Sequence, residues 1–407
     1  MNCRHCGNAL KFTFADLGSA PPSNAYRNPE QINQPEATYP LEVCVCEKCW
    51  LVQTKDFVAA HEMFSADYAY FSSVSSGWLK HAADYVAMII AKLQLDNSSQ
   101  VIEIASNDGY LLKNFVNAGI PCLGIEPTTE TAAKSREFGI PVMESFFTSS
   151  LAKQLTKDNL QADLVIGNNV LAHVPDINDF VTGLRGVLKE DGVVTMEFPH
   201  LLELIEHCQF DTIYHEHFSY LSLYVVKSIF NQAGLDIIDV EQLPTHGGSL
   251  RIYACKTELG KSPSQNVQHI IGMEIKKGLK ELDTYLGFQQ KIDHVTKGLV
   301  DFLEAQKKAG KTVIGYGAAA KGNTLLNYAG IKADLLPVIC DAAPSKQGKF
   351  MPGSHIPIYP PEYLIDKASD FVLILPWNIA NEVKQQNAFL KDSGSQFVTA
   401  IPKLCIS

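Results

Sequence analysis

Val101-Ile-Glu103-Ile-Ala105-Ser-Asn107-Asp-Gly109 decides the fold of this chain, and Gly124-Ile-Glu126-Pro, about twenty residues on, repeats its logic. Each is a short apolar run that stops in small or polar residues, as a buried strand does on reaching a turn. Small residues and Gly109 let a ligand approach the backbone, and the carboxylates offer acceptors, Glu126 in a position to bind a ribose diol. Working outward, strands are predicted at 101–106, 122–126, 141–144, 162–167 and 192–197, with helices at 110–117, 129–138, 148–156 and 177–188. A helix near 225–234 and two strands, 236–242 and 249–255, follow. Repeated strand–helix units imply a parallel sheet covered on both faces, and the last two strands add an antiparallel edge.

A charged, amphipathic connector, 265–308, has Gly272, Gly278, Gly287 and Gly298 as possible breaks. Strand–helix alternation then restarts at 312–317, 336–341, 371–376 and 397–401. Before the first sheet, a helical pattern covers roughly 68–95. The expected architecture is α/β throughout, in three parts: 1–65, 66–260 and 261–407.

The chain has 407 residues, enough for two large domains and a small one at about 150 residues each. With 46% hydrophobic and 19% charged residues it is an ordinary globular composition, which excludes disorder and coiled coil. A formal charge of −10 argues against a nucleic-acid or membrane surface. No apolar run nears the ~20 residues of a membrane span. The N-terminus, Met-Asn-Cys-Arg-His-Cys, has no apolar leader, so a cytoplasmic location is expected. Nothing in the sequence sets the oligomeric state.

Five of the ten cysteines fall in the first 49 residues, and two pairs are C-x-x-C knuckles: Cys3/Cys6 and Cys46/Cys49. Each knuckle presents two sulfurs on one turn, so the pair suits a tetrahedral zinc site. Cys44 offers an alternate register and His5 a substitute ligand. Four thiolates close the coordination sphere, so the metal would be structural. Pro21, Pro22, Pro29, Pro35 and Pro40 make the segment between the knuckles read as loop.

At the carboxyl end of the fourth predicted strand stand Asn168-Asn169-Val-Leu-Ala-His173, over the crevice where such sheets bind ligands. Tyr214-His-Glu216-His217 is a dense run of ionisable groups. It lacks the spacing of a zinc-protease helix and reads better as a proton-transfer site. By spacing, the first turn suits NAD or S-adenosylmethionine. Ala105 and Asn107 stand where a dinucleotide turn would have glycine, which disfavours NAD there. Gly315-Tyr-Gly317-Ala-Ala-Ala320, with Asp341 about 24 residues later, would alone suggest a dinucleotide. The same turn, with Lys321, suits a diphosphate at a helix N-terminus. His246-Gly-Gly-Ser-Leu-Arg251 is either a hairpin turn or a substrate contact.

The ordered set resembles one known family across essentially the whole chain. It comprises the two knuckles, Tyr68-Ala-Tyr70-Phe-Ser72-Ser73, Glu103–Gly109, Asn168–His173, Tyr214–His217, His246–Arg251 and Gly315–Asn323. The chain resembles the zinc-containing, S-adenosylmethionine-dependent sugar C-methyltransferases of deoxysugar biosynthesis. The resemblance implies a class I methyltransferase (Rossmann-like) sheet between a zinc-binding domain and a C-terminal Rossmann-like α/β domain. It implies a nucleotide-linked 4-keto-6-deoxysugar methylated at C-3. His217 would be the base, with Tyr214, Glu216, Tyr68 and His173 beside it. Glu103, Asn107, Gly109, Glu126 and Asn168, with Ser72, Ala105 and Asn169, would hold S-adenosylmethionine. Ala105 stands where many relatives have glycine. Tyr316, Lys321, Asn323, His246 and Arg251 would meet the sugar nucleotide. Two other readings are an NAD-dependent sugar-nucleotide oxidoreductase and a non-enzymatic zinc-scaffolded binding module.

Overall fold

The alternation seen in the sequence becomes two parallel sheets and a small antiparallel one in the computed structural model, which describes residues 1–55, 71–367, 369–392 and 394–407. The small sheet is the N-terminal cap. Its strands β1 (Phe12–Ala20), β2 (Tyr39–Val45) and β3 (Val52–Thr54) run antiparallel in that order. The cap is thus not the loop that its prolines suggest. Pro21, Pro22, Pro29 and Pro35 lie in the connection between two strands, and only Pro40 sits inside one.

The long helix α1 (Ser76–Leu93) starts where the Ser75 hydroxyl accepts from Trp78 N and ends at Gln94, which is left-handed. The part of that helical pattern before residue 71 lies outside the described residues. Five strands follow: β4 (Val101–Ile104), β5 (Cys122–Ile125), β6 (Val142–Met143), β7 (Ala162–Asn168) and β8 (Leu188–Pro199). The helices between them are α2 (Leu112–Asn117), α3 (Thr129–Glu137), α4 (Ser149–Lys157) and α5 (Ile177–Val187). Next come α6 (Leu201–Glu206), the short strand β9 (Ser219–Tyr220), α7 (Leu223–Gln232), β10 (Leu235–Leu243) and β11 (Ser249–Lys256).

The large sheet has the order β10-β11-β8-β7-β4-β5-β6. All its pairings are parallel except those of β11, the expected antiparallel addition. The order reverses beside β4, so the crevice for a ligand opens at the carboxyl ends of β4 and β7. Strand β9 does not join this sheet. It pairs with β3 and completes the cap.

The connector consists of α8 (Gln265–Lys276), α9 (Leu282–Leu286) and α10 (Phe288–Lys308). Of the four candidate breaks, Gly278 and Gly287 lie between helices, whereas Gly272 and Gly298 lie inside them. Phe14 of the cap stacks on Phe288 of α10 at 4.4 Å, with both rings buried. Burying such a ring contributes about 1.5–3 kcal/mol, so this contact ties the cap to the connector.

The C-terminal sheet contains β12 (Val313–Tyr316), β13 (Ile339–Cys340), β14 (Ile358–Tyr359), β15 (Phe371–Ile374), β16 (Gln396–Thr399) and β17 (Cys405–Ile406). Its order is β14-β13-β12-β15-β16-β17, parallel but for β17. Helix α11 (Ala320–Tyr328) follows β12. No helix among the described residues is long and apolar enough to cross a membrane.

Candidate active site

The two knuckles meet. The sulfurs of Cys3, Cys6, Cys46 and Cys49 all lie within 4.8 Å of one another. Zinc–sulfur bonds of about 2.3 Å in a tetrahedron put sulfurs about 3.8 Å apart, so the four thiols fit the ion. The alternates are turned elsewhere. His5 bonds Asn178 and Ser228, and Cys44 faces Glu42. Gln53 Nε2 donates to Cys3 Sγ at 3.2 Å, a bond that favours a thiolate. Arg4, inside the first knuckle, donates to the carbonyls of Thr54 and Phe218.

At the crevice, the turn after β4 is held open by its backbone. Ala105 (φ 56°), Asn107 (φ 49°) and Gly109 (φ 75°) are left-handed. A Cβ on Gly109 would meet Ile140 at 2.6 Å and Ser135 at 2.7 Å. At Ala105 the same conformation costs an L-residue roughly 1–2 kcal/mol, which explains why glycine suits that position. Glu126 braces the turn: its carboxylate accepts from Asn107 N at 2.9 Å and from Thr128 N at 2.9 Å. Its Oε1 also accepts from the Thr128 hydroxyl, whereas Oε2 accepts only from Asn107 and keeps a second lone pair for a hydroxyl of a diol. Ser72 N donates to Asn107 Oδ1 and Ser73 N to Asp108, so the segment before α1 closes over the turn. Glu103 Oε2 and Asn168 Nδ2 are buried and have no partner among the described residues. Orphaned acceptor and donor atoms beside this crevice fit a ligand with amino and hydroxyl groups, as S-adenosylmethionine has.

Beyond β7 and β8 lies a wall of rings. Asn169 Nδ2 meets His246 Nε2 at 2.9 Å, and the His246 ring sits edge-on to Trp78 at 5.1 Å. Trp78 also stacks on His81 and Tyr110. Below, the buried Glu197 accepts from Arg251 at 2.8 Å, Thr245 at 2.9 Å and His81 at 2.9 Å. Burial raises the Glu197 carboxyl, but His81 and Arg251 outweigh it and hold it below the usual range. Arg251 is thereby fixed in an internal ion pair rather than presented to the crevice.

The Tyr214–His217 run splits by direction. His215 turns to the cap and meets the Tyr39 carbonyl at 3.1 Å. Glu216 accepts from Asn24 of the cap at 2.7 Å. Tyr214 and His217 stay together, rings 4.0 Å apart, with His173 at 4.6 Å from His217. His217 Nδ1 lies 2.7 Å from the Thr212 carbonyl. A carbonyl only accepts, so Nδ1 carries the proton and Nε2 holds the lone pair. Tyr68 lies outside the described residues.

Burial, then His173, and further off His246 and Lys321, push the His217 imidazole well below its ordinary 6.5, against the Thr212 bond. Burial likewise pushes His173 down to about 4, opposed by a bond to the Glu216 backbone. Burial disfavours the charged form, so the His217 lone pair stays available as the pH falls. The acid limb of kcat/KM, which reports the free enzyme's essential groups, is therefore expected below pH 6.5. A limb centred at or above that value in a pH–rate series would contradict this.

In the C-terminal domain, Lys321 Nζ bonds Asn378 at 2.7 Å and lies 4.7 Å over the Trp377 ring. The Asn323 side chain is fully buried, and both its amide atoms lack partners among the described residues. Tyr316 is not brought to the crevice. It packs with Ile314, Val372 and Phe397 on the far side of its sheet. Asp341 accepts from Ala318 N and Ala343 N at 2.7 Å each, so its carboxylate braces the turn that a dinucleotide would use. Sequence reasoning missed Asn24, His81, Glu197, Asp211 and Trp377. For Trp377 a signal existed, because Leu375-Pro-Trp377-Asn378 follows the carboxyl end of β15.

Three family models cover most of the chain. They describe a zinc binding domain (residues 3–64), a methyltransferase domain (78–240) and a C-methyltransferase C-terminal domain (244–402). The chain is 31% identical over 401 residues to the C-methyltransferase NovU of Streptomyces niveus, covering 98% of this chain and 95% of that protein. Among solved structures, the magnesium protoporphyrin IX methyltransferase of Synechocystis with bound SAH aligns at 15% identity and TM-score 0.36. That match covers 44% of this chain and 84% of the other. An S-adenosylmethionine-dependent methyltransferase of Clostridium acetobutylicum aligns at 11% identity and TM-score 0.35, over 46% and 92%. Likenesses at that level carry no argument about substrate.

Proposed function

The chain belongs to the family of S-adenosylmethionine-dependent C-methyltransferases with an N-terminal zinc-binding domain, and from that premise we propose that it methylates C-3 of a nucleotide-linked 4-keto-6-deoxysugar. One observation carries the reading: His217 has its Nδ1 proton engaged by Thr212, leaving Nε2 as a buried lone pair beside Tyr214 and His173. A sugar carbon is a poor nucleophile until it loses a proton, and a ketone at C-4 acidifies the C-3 hydrogen.

His217 Nε2 takes that proton. The electrons of the C–H bond pass into an enolate spread onto the C-4 oxygen. Tyr214, His173 and Tyr68 form the donor set for that oxygen. When bound, S-adenosylmethionine would supply the electrophilic methyl group for the new bond at C-3, the electron pair of its carbon–sulfur bond staying on sulfur. Glu103, Asn107, Gly109, Glu126 and Asn168, with Ser72, Ala105 and Asn169, would hold that cofactor. Glu216, fixed by Asn24, orients a sugar hydroxyl. Lys321, Asn323 and His246 bind the sugar nucleotide, Lys321 giving a point charge to its diphosphate. Tyr316 and Arg251 act at one remove, by supporting the walls of that site.

The test is to incubate the protein with S-adenosylmethionine and a panel of 4-keto-6-deoxy sugar nucleotides that differ in base, and to read product mass. Gain of one methylene on one panel member is the expected result. No gain on any member, with S-adenosylmethionine binding measured separately, removes the sugar assignment.

A further inference from the structure

We propose that the C-terminal domain positions the catalytic base, and that Trp377 and Thr324 are the residues through which it does so. This rests on the reading of His217 as base and goes beyond the assignment of that domain to the sugar nucleotide.

The argument begins at the carbonyl of Thr212. A neutral imidazole has two tautomers of similar energy, and the partner of one nitrogen selects between them. For His217 that partner is the Thr212 carbonyl, 2.7 Å from Nδ1. The carbonyl sits in a short 3-10 turn, Phe210–Thr212, which is too small to be rigid on its own. Both chain neighbours of Thr212 are tied to the C-terminal domain. On one side, Trp377 Nε1 donates to Asp211 Oδ2 at 2.7 Å, and Asp211 is fully buried. On the other, Thr324 Oγ1 of α11 donates to the Ile213 carbonyl at 2.9 Å. Within the turn, Thr212 Oγ1 donates to the Gln209 carbonyl at 2.7 Å.

Trp377 is itself held. Lys321 covers its ring face, and Gly247 of the His246-Gly-Gly loop presses so close that a Cβ there would collide with the ring. Gln209 Nε2 donates to the Gly247 carbonyl at 2.7 Å, closing the loop back onto the turn. The carbonyl that aims His217 is thus clamped at residues 211 and 213 by side chains more than a hundred positions away in sequence. Small displacements of a reacting group cost about 10²-fold in rate, so a loosened clamp has a kinetic signature.

The test uses full-length protein labelled with 15N-histidine, as wild type, Trp377→Phe and Thr324→Val. His217→Asn identifies the His217 signals by their loss. Wild type is expected to show the single Nδ1–H tautomer. Each clamp variant is expected to show a tautomer mixture, with methyl transfer to the accepting sugar nucleotide about 10- to 100-fold slower and S-adenosylmethionine affinity unchanged. An unaltered tautomer in both variants overturns the proposal, whatever happens to the rate. An altered tautomer with methyl transfer within twofold of wild type overturns it as well. If one variant does not fold, the other decides. Full methyl transfer by His217→Asn would instead remove the base assignment, while the tautomer signals would still report on the clamp.

Discussion

Replacing His217 by asparagine is expected to slow methyl transfer about 10²- to 10⁴-fold and to leave S-adenosylmethionine affinity unchanged. The range is the usual contribution of a positioned general base. The substitution is chosen for its geometry. The asparagine amide can still donate to the Thr212 carbonyl, so the turn keeps its partner and the fold its shape. It has no lone-pair nitrogen to take a proton. The residues proposed to hold the cofactor lie at the ends of β4, β5 and β7, so its affinity is expected not to sense the change. Single-turnover transfer from labelled cofactor, with calorimetric titration of the same protein, separates the two quantities. Transfer within twofold of wild type would exclude His217 as the base.

Removing the zinc is expected to lower the melting temperature by roughly ten degrees or more and to abolish methyl transfer in parallel, both restored by added zinc. Structural zinc contributes about 10–16 kcal/mol in small peptides, as much as the whole stability of many domains. Here the loss would not stop at the knuckles. Arg4 lies between Cys3 and Cys6 and donates to the Phe218 carbonyl, and Phe218 follows His217 directly. Thr54 Oγ1 donates to the His217 carbonyl at 3.2 Å. A cap that loosens therefore releases the segment carrying the base, although a four-thiolate ion takes no part in the chemistry. Thermal unfolding and turnover, measured on protein whose metal content has been assayed before and after chelation, check this. Metal-free protein that melts within about two degrees of the zinc form would refute it.

The large sheet was legible because its signals are local. Val101–Gly109 and Gly124–Glu126 each announce a strand and a turn within a few residues, and the structure uses both. The knuckles were legible for the same reason: spacing alone brings two sulfurs together. The strands of the cap were not. Strand β1 shifts register between Thr13 and Ala15 and again between Asp16 and Ser19, which breaks the alternation that marks a strand. Tyr316 shows another limit. Neighbouring strand residues face opposite ways, and a glycine-rich turn does not say which of them meets the ligand. The contacts that shape the candidate base were out of reach for a further reason. Asn24 reaches Glu216 across 192 positions and Trp377 reaches Asp211 across 166, and neither residue carries a local pattern. The split between His215 and His217 depends on the turn in which His217 N donates to the Tyr214 carbonyl, and that turn has no signature in the run itself.

The pairing of β3 with β9 has a consequence for how the protein is made. Val52 sits opposite Tyr220 and Gln53 opposite Ser219. A ribosome adding about 5–20 residues per second needs roughly 8–33 s to travel from residue 54 to residue 220. Throughout that interval the cap has emerged with its last strand unmatched, an open edge that invites pairing with another nascent chain. Only when Ser219 and Tyr220 leave the exit tunnel can that edge close, and the same event brings the segment carrying His217 against the cap. Vectorial synthesis thus ends the cap's exposure before residues 324 and 377, the proposed clamp on the base, have been made, and a cap expressed alone would keep that edge bare.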